Sequence, residues 1–301
     1  MSAAKMHENE VDTDEDLVRR LLRAQFPQWA DLPIAPPLKT GTDNAIFRLG
    51  RDKSVRLPRR EGAGPQIAKE DRCLPQLAPH MPLVIPVPLA TGEPGEGYPF
   101  RWSIQPWLEG REVVFEQLAD PLDAARTIAG FLTALQAADA SAGPAPYDSG
   151  TDRGCPLADR DSRVRECAEQ LGDLIDRERV IALWEASLHA PIYDGPSVWV
   201  HGDVSPGNLI EHDGVITGAI DWALMGVGDP ACDLLVAWNL FRGESRDEFR
   251  RAIGVDDATW LRGRGWGISQ AMIALPYYLH TNPPIVEQSW HILSQIMKDA
   301  G

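Results

Sequence analysis

The sequence predicts an α+β protein, with a small β-rich N-terminal region and a larger, mainly helical C-terminal region. Three observations support this prediction. Residues 34–107 contain several short strand patterns and one helix, helical patterns dominate after Gly110, and an island of short apolar strands and polar turns interrupts the helices at residues 198–220. We therefore expect an N-terminal lobe over residues 13–105 and a C-terminal lobe over residues 106–301.

Composition is that of a globular protein, and it excludes several classes of function. The 301 residues are 44% hydrophobic and 24% charged, which is close to the globular average. The formal net charge of −15 argues against binding to nucleic acid or to an anionic membrane surface, since both need clustered Lys and Arg. The four cysteines form no CxxC pair, and no signal peptide or membrane span is recognisable, so we expect a cytoplasmic protein with reduced thiols.

The first elements of the N-terminal lobe follow a tail at residues 1–12, which we expect to be disordered. Thr13 and Asp16 resemble a capping box that opens an amphipathic helix ending near Phe26. The remaining patterns predict strands at Ala45–Leu49, Ser54–Leu57, Val84–Leu89 and Phe100–Trp107, and a helix at Gly64–Leu77 in which Pro75 favours an end near Leu74.

The C-terminal lobe is predicted to be helical on both sides of its strand island. Apolar residues recur at helical spacing in three segments before the island, and helices resume after it from Pro230 to the end of the chain. The three earlier helices are predicted at Leu122–Ala138, Arg160–Leu171 and Arg177–Leu188.

Polar residues crowd the island, and their types suit a divalent cation. The segment HGDVSPGN at 201–208 is followed by Asp221 in the sequence IDW. Asp203, Asn208 and Asp221 are hard oxygen ligands on turns between short strands, and Mg²⁺ prefers one or two such ligands together with phosphate oxygens and water. Each of them alone could be a turn former or a strand-end cap. Together they predict a cation site that faces a phosphate chain.

Three further polar residues of the island are expected to support the site. His201 could be a metal ligand, but with no second histidine nearby we favour a buried orienting role. Asp229 precedes Pro230 as an N-cap before the first helical position. Asp233 lies one turn further, near the positive end of that helix, where it can also brace the turn at 201–208.

These segments together resemble one enzyme family. HGDVSPGN, IDW and the following GDPACDL at 228–234 are similar to the signature of the aminoglycoside and macrolide phosphotransferases, which share the protein-kinase fold. The resemblance implies a bilobal, protein-kinase-like fold. It also implies that Asp203 is the catalytic Asp that orients the substrate hydroxyl or accepts its proton. Asn208 and Asp221 would then be the magnesium ligands.

The same resemblance directs attention to a phosphate-binding cation and its partner in the N-terminal lobe. Family members commonly carry Lys on this strand, whereas Val55-Arg56-Leu57 offers Arg56, with Lys53 as a fallback. Glu70, on the following helix, matches the family's helix Glu and is the expected partner of Arg56. The stretch 48–60 has six basic residues against one acidic residue, which suits a polyphosphate but is also typical of a solvated face.

Other nucleotide contacts are expected from the loop at 39–44 and from the linker at 103–108. Thr42, in the loop, could contact phosphate with its hydroxyl, although a plain turn explains the same residues. In the linker, Pro106 lacks an N–H, so the backbone donor to a purine would be Gln105 or Trp107.

We therefore predict a Mg²⁺-dependent kinase that transfers the γ-phosphoryl group of ATP or GTP to a hydroxyl of a small, possibly cationic antibiotic such as an aminoglycoside or macrolide. Relatives with this signature also phosphorylate choline, homoserine or methylthioribose, so a metabolite kinase is the alternative. Two hypotheses from other functional classes are a non-catalytic nucleotide-binding module and a metal phosphoesterase. Segment 139–194, with twelve acidic and six basic residues, is the region where the family usually recognises its acceptor.

Overall fold

The computed structural model of the chain describes residues 10–36, 43–148 and 150–299. The chain forms two compact units. Unit 1 runs to Glu109 and includes Gly218–Ala223, and unit 2 comprises Gly110–Thr217 and the chain from Leu224 onward. The division after Glu109 lies four residues beyond the boundary expected from the sequence. The sequence did not predict that Gly218–Ala223 would belong to unit 1.

Unit 1 is built on a five-stranded antiparallel sheet with the order β1-β2-β3-β5-β4. The hairpin β2–β3 turns at Gly50, whose positive φ of 62° suits glycine, and it pairs Ile46 with Arg56. Both predicted strands of this hairpin are confirmed. The strands are β1 (Ile34–Ala35), β2 (Asn44–Leu49), β3 (Lys53–Pro58), β4 (Ala90–Gly92) and β5 (Trp102–Pro106).

The first helix, α1 (Glu15–Gln25), covers this sheet with its apolar face, Leu17, Val18, Leu21 and Leu22. Its N-cap is Asp14, whose carboxylate accepts the Leu17 N–H at 2.7 Å, so the expected Thr13 capping box is wrong. The carboxylate cap outcompetes the hydroxyl because a charged acceptor binds the orphan N–H groups more strongly.

The expected disorder at residues 1–12 is also wrong for its last three residues, while residues 1–9 lie outside the described part of the chain. Glu10 is buried and pairs with the buried Arg59 at 2.5 Å. The Val11 N–H donates to the Arg59 carbonyl oxygen at 2.8 Å. A charged partner and a backbone hydrogen bond therefore hold this segment against the end of β3.

Two predictions in the rest of unit 1 also need correction. Helix α2 (Gly64–Leu77) continues through Pro75, because Pro removes only one late hydrogen bond and the Ala78 N–H still donates to Leu74. Val84–Leu89 is not a strand: its two prolines remove ladder donors, and only an isolated bridge joins Val84 to Gly218. The edge strand β4 follows this segment instead.

Unit 2 is mainly helical, as predicted, and contains two small sheets. Its helices are α3 (Pro121–Ala137), α4 (Asp161–Leu171), α5 (Arg177–Leu188), α6 (Val236–Asn239), α7 (Glu244–Ile253), α8 (Asp257–Tyr278) and α9 (Pro283–Asp299). Its strands are β6 (Arg111–Glu112), β7 (Val198–Val200), β8 (Leu209–His212), β9 (Val215–Ala219, of which the last two residues are counted in unit 1) and β10 (Gly226–Gly228), in the orders β6-β8-β9 and β10-β7.

Aspartate caps begin the helices α3 and α8 of unit 2. Asp120 accepts the Leu122 N–H ahead of Pro121, and Asp256 accepts the Thr259 N–H at the start of α8. Helix α8 packs closely on its neighbours, since a Cβ added at Gly263 would lie 2.6 Å from Leu234 and one at Gly265 would lie 2.4 Å from Leu157. Among the described residues, no helix combines the length and the apolar character that spanning a bilayer would need.

Candidate active site

A buried ion pair joins the sheet of unit 1 to its helix α2. Arg56 projects from β3 and Glu70 from α2, and the two residues are only 5% and 1% exposed. The Arg56 Nη1 donates to both carboxylate oxygens of Glu70, at 2.6 and 2.7 Å. Arg56 is therefore not a solvated strand residue, and the partner expected from the sequence is the one that it contacts.

The guanidinium of Arg56 also reaches two other polar residues of unit 1. Nη2 donates to Asp221 Oδ1 at 3.0 Å, and the Asn44 amide, with its oxygen turned toward Arg56, accepts from Nε and Nη2 at 3.2 and 3.0 Å. Gln105 adds a donor to Glu70 Oε2 at 3.1 Å. Asp221 itself has a φ of +59°, an uncommon value for a residue other than glycine.

Burial and charge act in opposite directions on this cluster. Burial raises the pKa of Glu70, and the adjacent guanidinium of Arg56 opposes that effect. Burial alone would lower the pKa of Arg56, but the carboxylates of Glu70 and Asp221 outweigh it and raise the pKa. The cluster therefore holds a permanent cation that its carboxylates neutralise.

Lys69, next to Glu70 on α2, is a second buried cation of unit 1 that the sequence reading missed. It is 4% exposed, and its Nζ donates to the Ala223 carbonyl oxygen at 2.7 Å. Desolvation by burial lowers the pKa of Lys69 to about 8. Because Ala223 lies two residues after Asp221, Lys69 anchors the segment that carries this carboxylate.

The remaining basic residues of the stretch 48–60 mostly have acidic partners of their own. Lys53 pairs with Asp52 at 2.8 Å, so the fallback cation does not contact Glu70 in this arrangement. The other pairs are Arg48 with Glu109, Arg59 with Glu10 and Arg60 with Asp43. Arg56 is thus distinguished by its buried cluster of oxygen atoms, not by the overall charge of the stretch.

The other predicted nucleotide contacts are Thr42, Trp107 and Gln105. Thr42 lies outside the described residues. The Trp107 backbone N–H donates to the Asp52 carbonyl oxygen at 2.8 Å, so this candidate donor is already engaged within unit 1. Gln105 lies opposite Ser54 in the β3–β5 ladder, and its side chain serves Glu70 as described above.

In unit 2, the turn after β7 presents the carboxylate of Asp203 between two amide donors. The Asn208 Nδ2 donates to Asp203 Oδ2 at 2.8 Å and to the Asp203 carbonyl oxygen at 2.9 Å. The Gln270 Nε2, from α8, donates to Asp203 Oδ1 at 3.2 Å. Both carboxylate oxygens are therefore oriented by neutral donors, and Asp203 remains half-buried.

The buried carboxylate of Asp233 stabilises this turn through hydrogen bonds to its backbone. Asp233 is fully buried and accepts the backbone N–H groups of His201 and Gly202, both at 2.7 Å. Burial raises the pKa of Asp233, and His201 together with the two N–H donors opposes the increase. His201 is buried, and its Nδ1 accepts the Asp203 N–H at 3.3 Å, so it orients the loop.

Gly202 is required by the shape of the same turn. Its φ is +82°, and an added Cβ would lie 2.5 Å from the Leu224 carbonyl oxygen. Only glycine has both the backbone freedom and the small size for this position.

Asp229 has two structural roles beyond the loop. It caps the 3₁₀ turn Pro230–Leu235 by accepting the Ala231 N–H at 3.0 Å, as the sequence predicted. It also forms a buried ion pair with Arg262 of α8 at 2.7 Å, which the sequence reading did not foresee.

Comparisons with known proteins identify the family. Residues 34–266, more than half of the chain, match the family model of the phosphotransferase enzyme family. The chain belongs to this family. It is therefore a phosphotransferase with a hydroxyl group as acceptor, as the sequence predicted.

The solved structures that resemble this phosphotransferase confirm the predicted protein-kinase-like fold. The GDP complex of aminoglycoside 2'-phosphotransferase-IIIa is 17% identical over 96% of this chain and 100% of its own, with a TM-score of 0.74. A macrolide 2'-phosphotransferase from Brachybacterium faecium is 22% identical over 93% of this chain and 98% of its own, with a TM-score of 0.62. A comparison with curated proteins found no match.

The oxygen donors of the phosphotransferase suit a magnesium ion held largely by a nucleotide. Asn208 uses its Nδ2 for Asp203, which leaves its carbonyl oxygen for a cation, and Asp221 retains Oδ2 beside the oxygen bonded to Arg56. In the described part of the chain, no group of three or more His, Cys, Asp or Glu side chains could hold a metal ion. Each residue, taken by itself, thus offers an oxygen of the kind that suits Mg²⁺, which takes few protein ligands and completes its shell with phosphate oxygens and water.

Several acidic side chains of segment 139–194 are paired locally in unit 2. Asp161 accepts from Arg165 at 2.9 Å and from the Trp184 indole at 2.7 Å, and Asp159 accepts from the Tyr147 hydroxyl at 2.9 Å. The exposed Glu166 and Glu169 pair with Arg163 and Arg177. The four acidic residues Asp159, Asp161, Glu166 and Glu169 therefore all have partners within the segment itself.

Proposed function

We propose that this phosphotransferase transfers the γ-phosphoryl group of ATP or GTP, as its Mg²⁺ complex, to a hydroxyl of an aminoglycoside or macrolide antibiotic. The observation that supports this most directly is the Asp203 carboxylate, held by Asn208 and Gln270 on a turn braced by Asp233. Such an arrangement fixes a proton acceptor in one orientation, which is what transfer to a hydroxyl requires.

In the proposed reaction, Asp203 orients the acceptor hydroxyl and receives its proton. The acceptor oxygen forms a bond to the γ-phosphorus, the bond from that phosphorus to the β–γ bridging oxygen breaks, and the nucleoside diphosphate leaves. Phosphoryl transfer has a loose transition state, so catalysis depends mainly on positioning and on neutralising charge. Asn208 contributes to positioning by holding both the carboxylate and the backbone of Asp203.

The nucleotide is assigned to unit 1. We assign phosphate binding to Arg56, which Glu70 orients, and we retain Thr42 as a phosphate contact and the backbone near Gln105 as the contact to the purine. The Trp107 N–H is a weaker choice, because it already donates to Asp52. In the domain assignment that we propose, residues 13–105 bind the nucleotide and residues 106–301 carry the catalytic loop and the acceptor-binding helices.

Asn208 and Asp221 are the residues that would hold Mg²⁺. When bound, Mg²⁺ supplies positive charge to the phosphate oxygens. Arg56 contributes a second, permanent positive charge, and its Nη2, which donates to Asp221 in this structure, is the group that we assign to a phosphate oxygen. We also propose a cytoplasmic location, in keeping with four buried cysteines that form no disulfide.

The proposed class of acceptor is supported by the solved structures that are similar to this chain. The structures similar to this chain include a GDP and kanamycin complex and a gentamicin complex of aminoglycoside phosphotransferases, as well as macrolide 2'-phosphotransferases. One observation favours the alternative, a metabolite kinase for a substrate such as choline, homoserine or methylthioribose. The acidic residues that would attract a polycationic aminoglycoside are paired with local donors, as shown for Asp161 and Asp159.

A transfer assay decides between the acceptors. Purified enzyme with Mg²⁺ is incubated with γ-labelled ATP or GTP and one of six acceptors: kanamycin, gentamicin, a macrolide, choline, homoserine or methylthioribose. We expect label on an antibiotic. Label only on a metabolite supports the alternative. If thermal shift shows that Mg·ATP or Mg·GTP binds but neither an acceptor nor water receives the label, the protein behaves as a non-catalytic module.

A further inference from the structure

Gln270 is the residue of unit 2 that contacts Asp203 from outside the catalytic turn. It lies on α8, 67 positions from Asp203 in the chain, and its Nε2 donates to Asp203 Oδ1 at 3.2 Å. It also lies beyond residue 266, where the match to the family model ends. Neither the sequence signature nor the family match therefore assigns it a role.

The orientation of the Gln270 amide is dictated by its neighbour. Asp203 Oδ1 is an acceptor, so only the NH₂ side of the amide can face it. The other atom, Gln270 Oε1, is then buried without a hydrogen-bond partner among the described residues. An unpaired buried carbonyl destabilises the folded state, so an apolar side chain of similar length would suit this helix position better for stability alone.

The two donors on Asp203 act on different oxygens. Asn208 belongs to the same turn and moves with it, whereas Gln270 is attached to the long helix α8. A carboxylate with one donor can still rotate about its Cβ–Cγ bond, and a second donor on the other oxygen fixes the plane of the group.

We propose that Gln270 is a positioning residue for the phosphoryl transfer, fixing the plane of the Asp203 carboxylate from outside the catalytic turn. This inference rests on the proposed function, in which Asp203 orients the acceptor hydroxyl. It predicts that Gln270 contributes to turnover while contributing nothing to, or reducing, the stability of the fold.

The test compares Gln270→Met, which keeps the length of the side chain without donors, with Gln270→Glu, which places a second carboxylate beside Asp203. Gln288→Met is the matched control. Gln288 is also a half-buried helical glutamine, and its Nε2 donates to Asn239 Oδ1 at 2.9 Å, but it does not contact the catalytic turn. For each variant, kcat and the acceptor KM are measured with Mg·ATP and kanamycin, nucleotide affinity by calorimetry, and stability by urea unfolding.

For Gln270→Met we expect kcat to fall about 10- to 100-fold, the scale of one hydrogen bond to a charged group. Nucleotide affinity should stay within about twofold, and the urea midpoint should be unchanged or higher. Gln270→Glu should be slower than Gln270→Met because like charges repel. Gln288→Met should retain the wild-type kcat.

Wild-type kcat in Gln270→Met, or equal activity of the Met and Glu variants, would overturn the positioning role and leave the proposed function intact. If the wild type phosphorylates no acceptor of the panel, the proposed function fails instead. The same comparison is then made on hydrolysis of Mg·ATP to water, which needs no acceptor, and equal hydrolysis rates in the wild type and Gln270→Met would overturn the inference.

Discussion

The guanidinium of Arg56 bridges two carboxylates of unit 1, with Nη1 at 2.6 Å from Glu70 Oε1 and Nη2 at 3.0 Å from Asp221 Oδ1. Lys, the residue that the family commonly places on this strand, has a single nitrogen at its end. Arg carries a planar fork and can donate to both groups at once. The substitution is therefore chemically consistent with a phosphate-binding cation, and it adds a direct link between α2 and the segment that contains Asp221.

The first prediction concerns the stability of this pair. Arg56→Met leaves the carboxylate of Glu70 buried without its cation, so we expect a loss of about 3–5 kcal/mol in the free energy of unfolding. Urea unfolding without ligand measures it. Arg101→Met is the control, because Arg101 forms an exposed pair with Glu93 and should change stability by about 0–1 kcal/mol. Equal effects of the two substitutions would contradict the importance of the buried pair.

The second prediction concerns the backbone of the catalytic turn. Gly202→Ala combines a φ of +82° with a Cβ only 2.5 Å from the Leu224 carbonyl oxygen, so we expect at least about 1–3 kcal/mol of destabilisation. The matched control is Gly207→Ala in the same loop, where an added Cβ meets no atom within 4 Å. Thermal unfolding of both variants checks this, and a Gly202→Ala protein as stable as Gly207→Ala would show that the turn can adjust.

The third prediction is a pH dependence that arises from Lys69. Burial lowers the pKa of Lys69 to about 8, whereas an unfolded Lys has a pKa of about 10.4. Between these values an unfolded Lys69 binds more protons than the folded one, so the contribution of Lys69 to the free energy of unfolding should rise with pH across this window. Above about pH 10.4 both states are neutral, and this contribution becomes constant.

Lys69→Met should lack that rise, and the difference between the two unfolding curves isolates the contribution of Lys69. Lys53→Met is the control, because Lys53 pairs with Asp52 near the surface, and it should keep the wild-type profile. Parallel profiles for the wild type and Lys69→Met from pH 7.5 to about 10.5 would contradict the effect of burial.

Sequence patterns predicted the fold well where local signals agreed with the packing. The β2–β3 hairpin, α4 and α5 follow from alternation, helical spacing and turn residues. Val84–Leu89 was misassigned because its apolar run, which is typical of a buried strand, outweighed Pro86 and Pro88, which cannot donate to a ladder. Glu10 was assigned to a tail because the sequence does not show that Arg59, far along the chain, would be buried beside it.

The residues of the candidate site likewise include some that the sequence indicates and some that only the structure reveals. Asp203, Asn208 and Asp221 lie in the sequence signature, and the family resemblance directed attention to Arg56 and Glu70. Gln270 carries no local signal, since its contact depends on how α8 packs beside the turn. Lys69 could have been noticed as a charged residue adjacent to Glu70, but only the structure shows its burial and its bond to Ala223.

The central claim is that Asp203 serves phosphoryl transfer to a hydroxyl, and Asp203→Asn tests it most directly. The measurement is the rate of transfer from γ-labelled nucleotide to the acceptor that the wild type uses, with nucleotide affinity determined in parallel. The control is Asp213→Asn, since Asp213 is exposed and asparagine tolerates its φ of 52°. We predict that Asp203→Asn lowers the rate about 100- to 10,000-fold with unchanged nucleotide affinity, while Asp213→Asn matches the wild type. An Asp203→Asn enzyme that transfers phosphate at the wild-type rate would contradict the assignment.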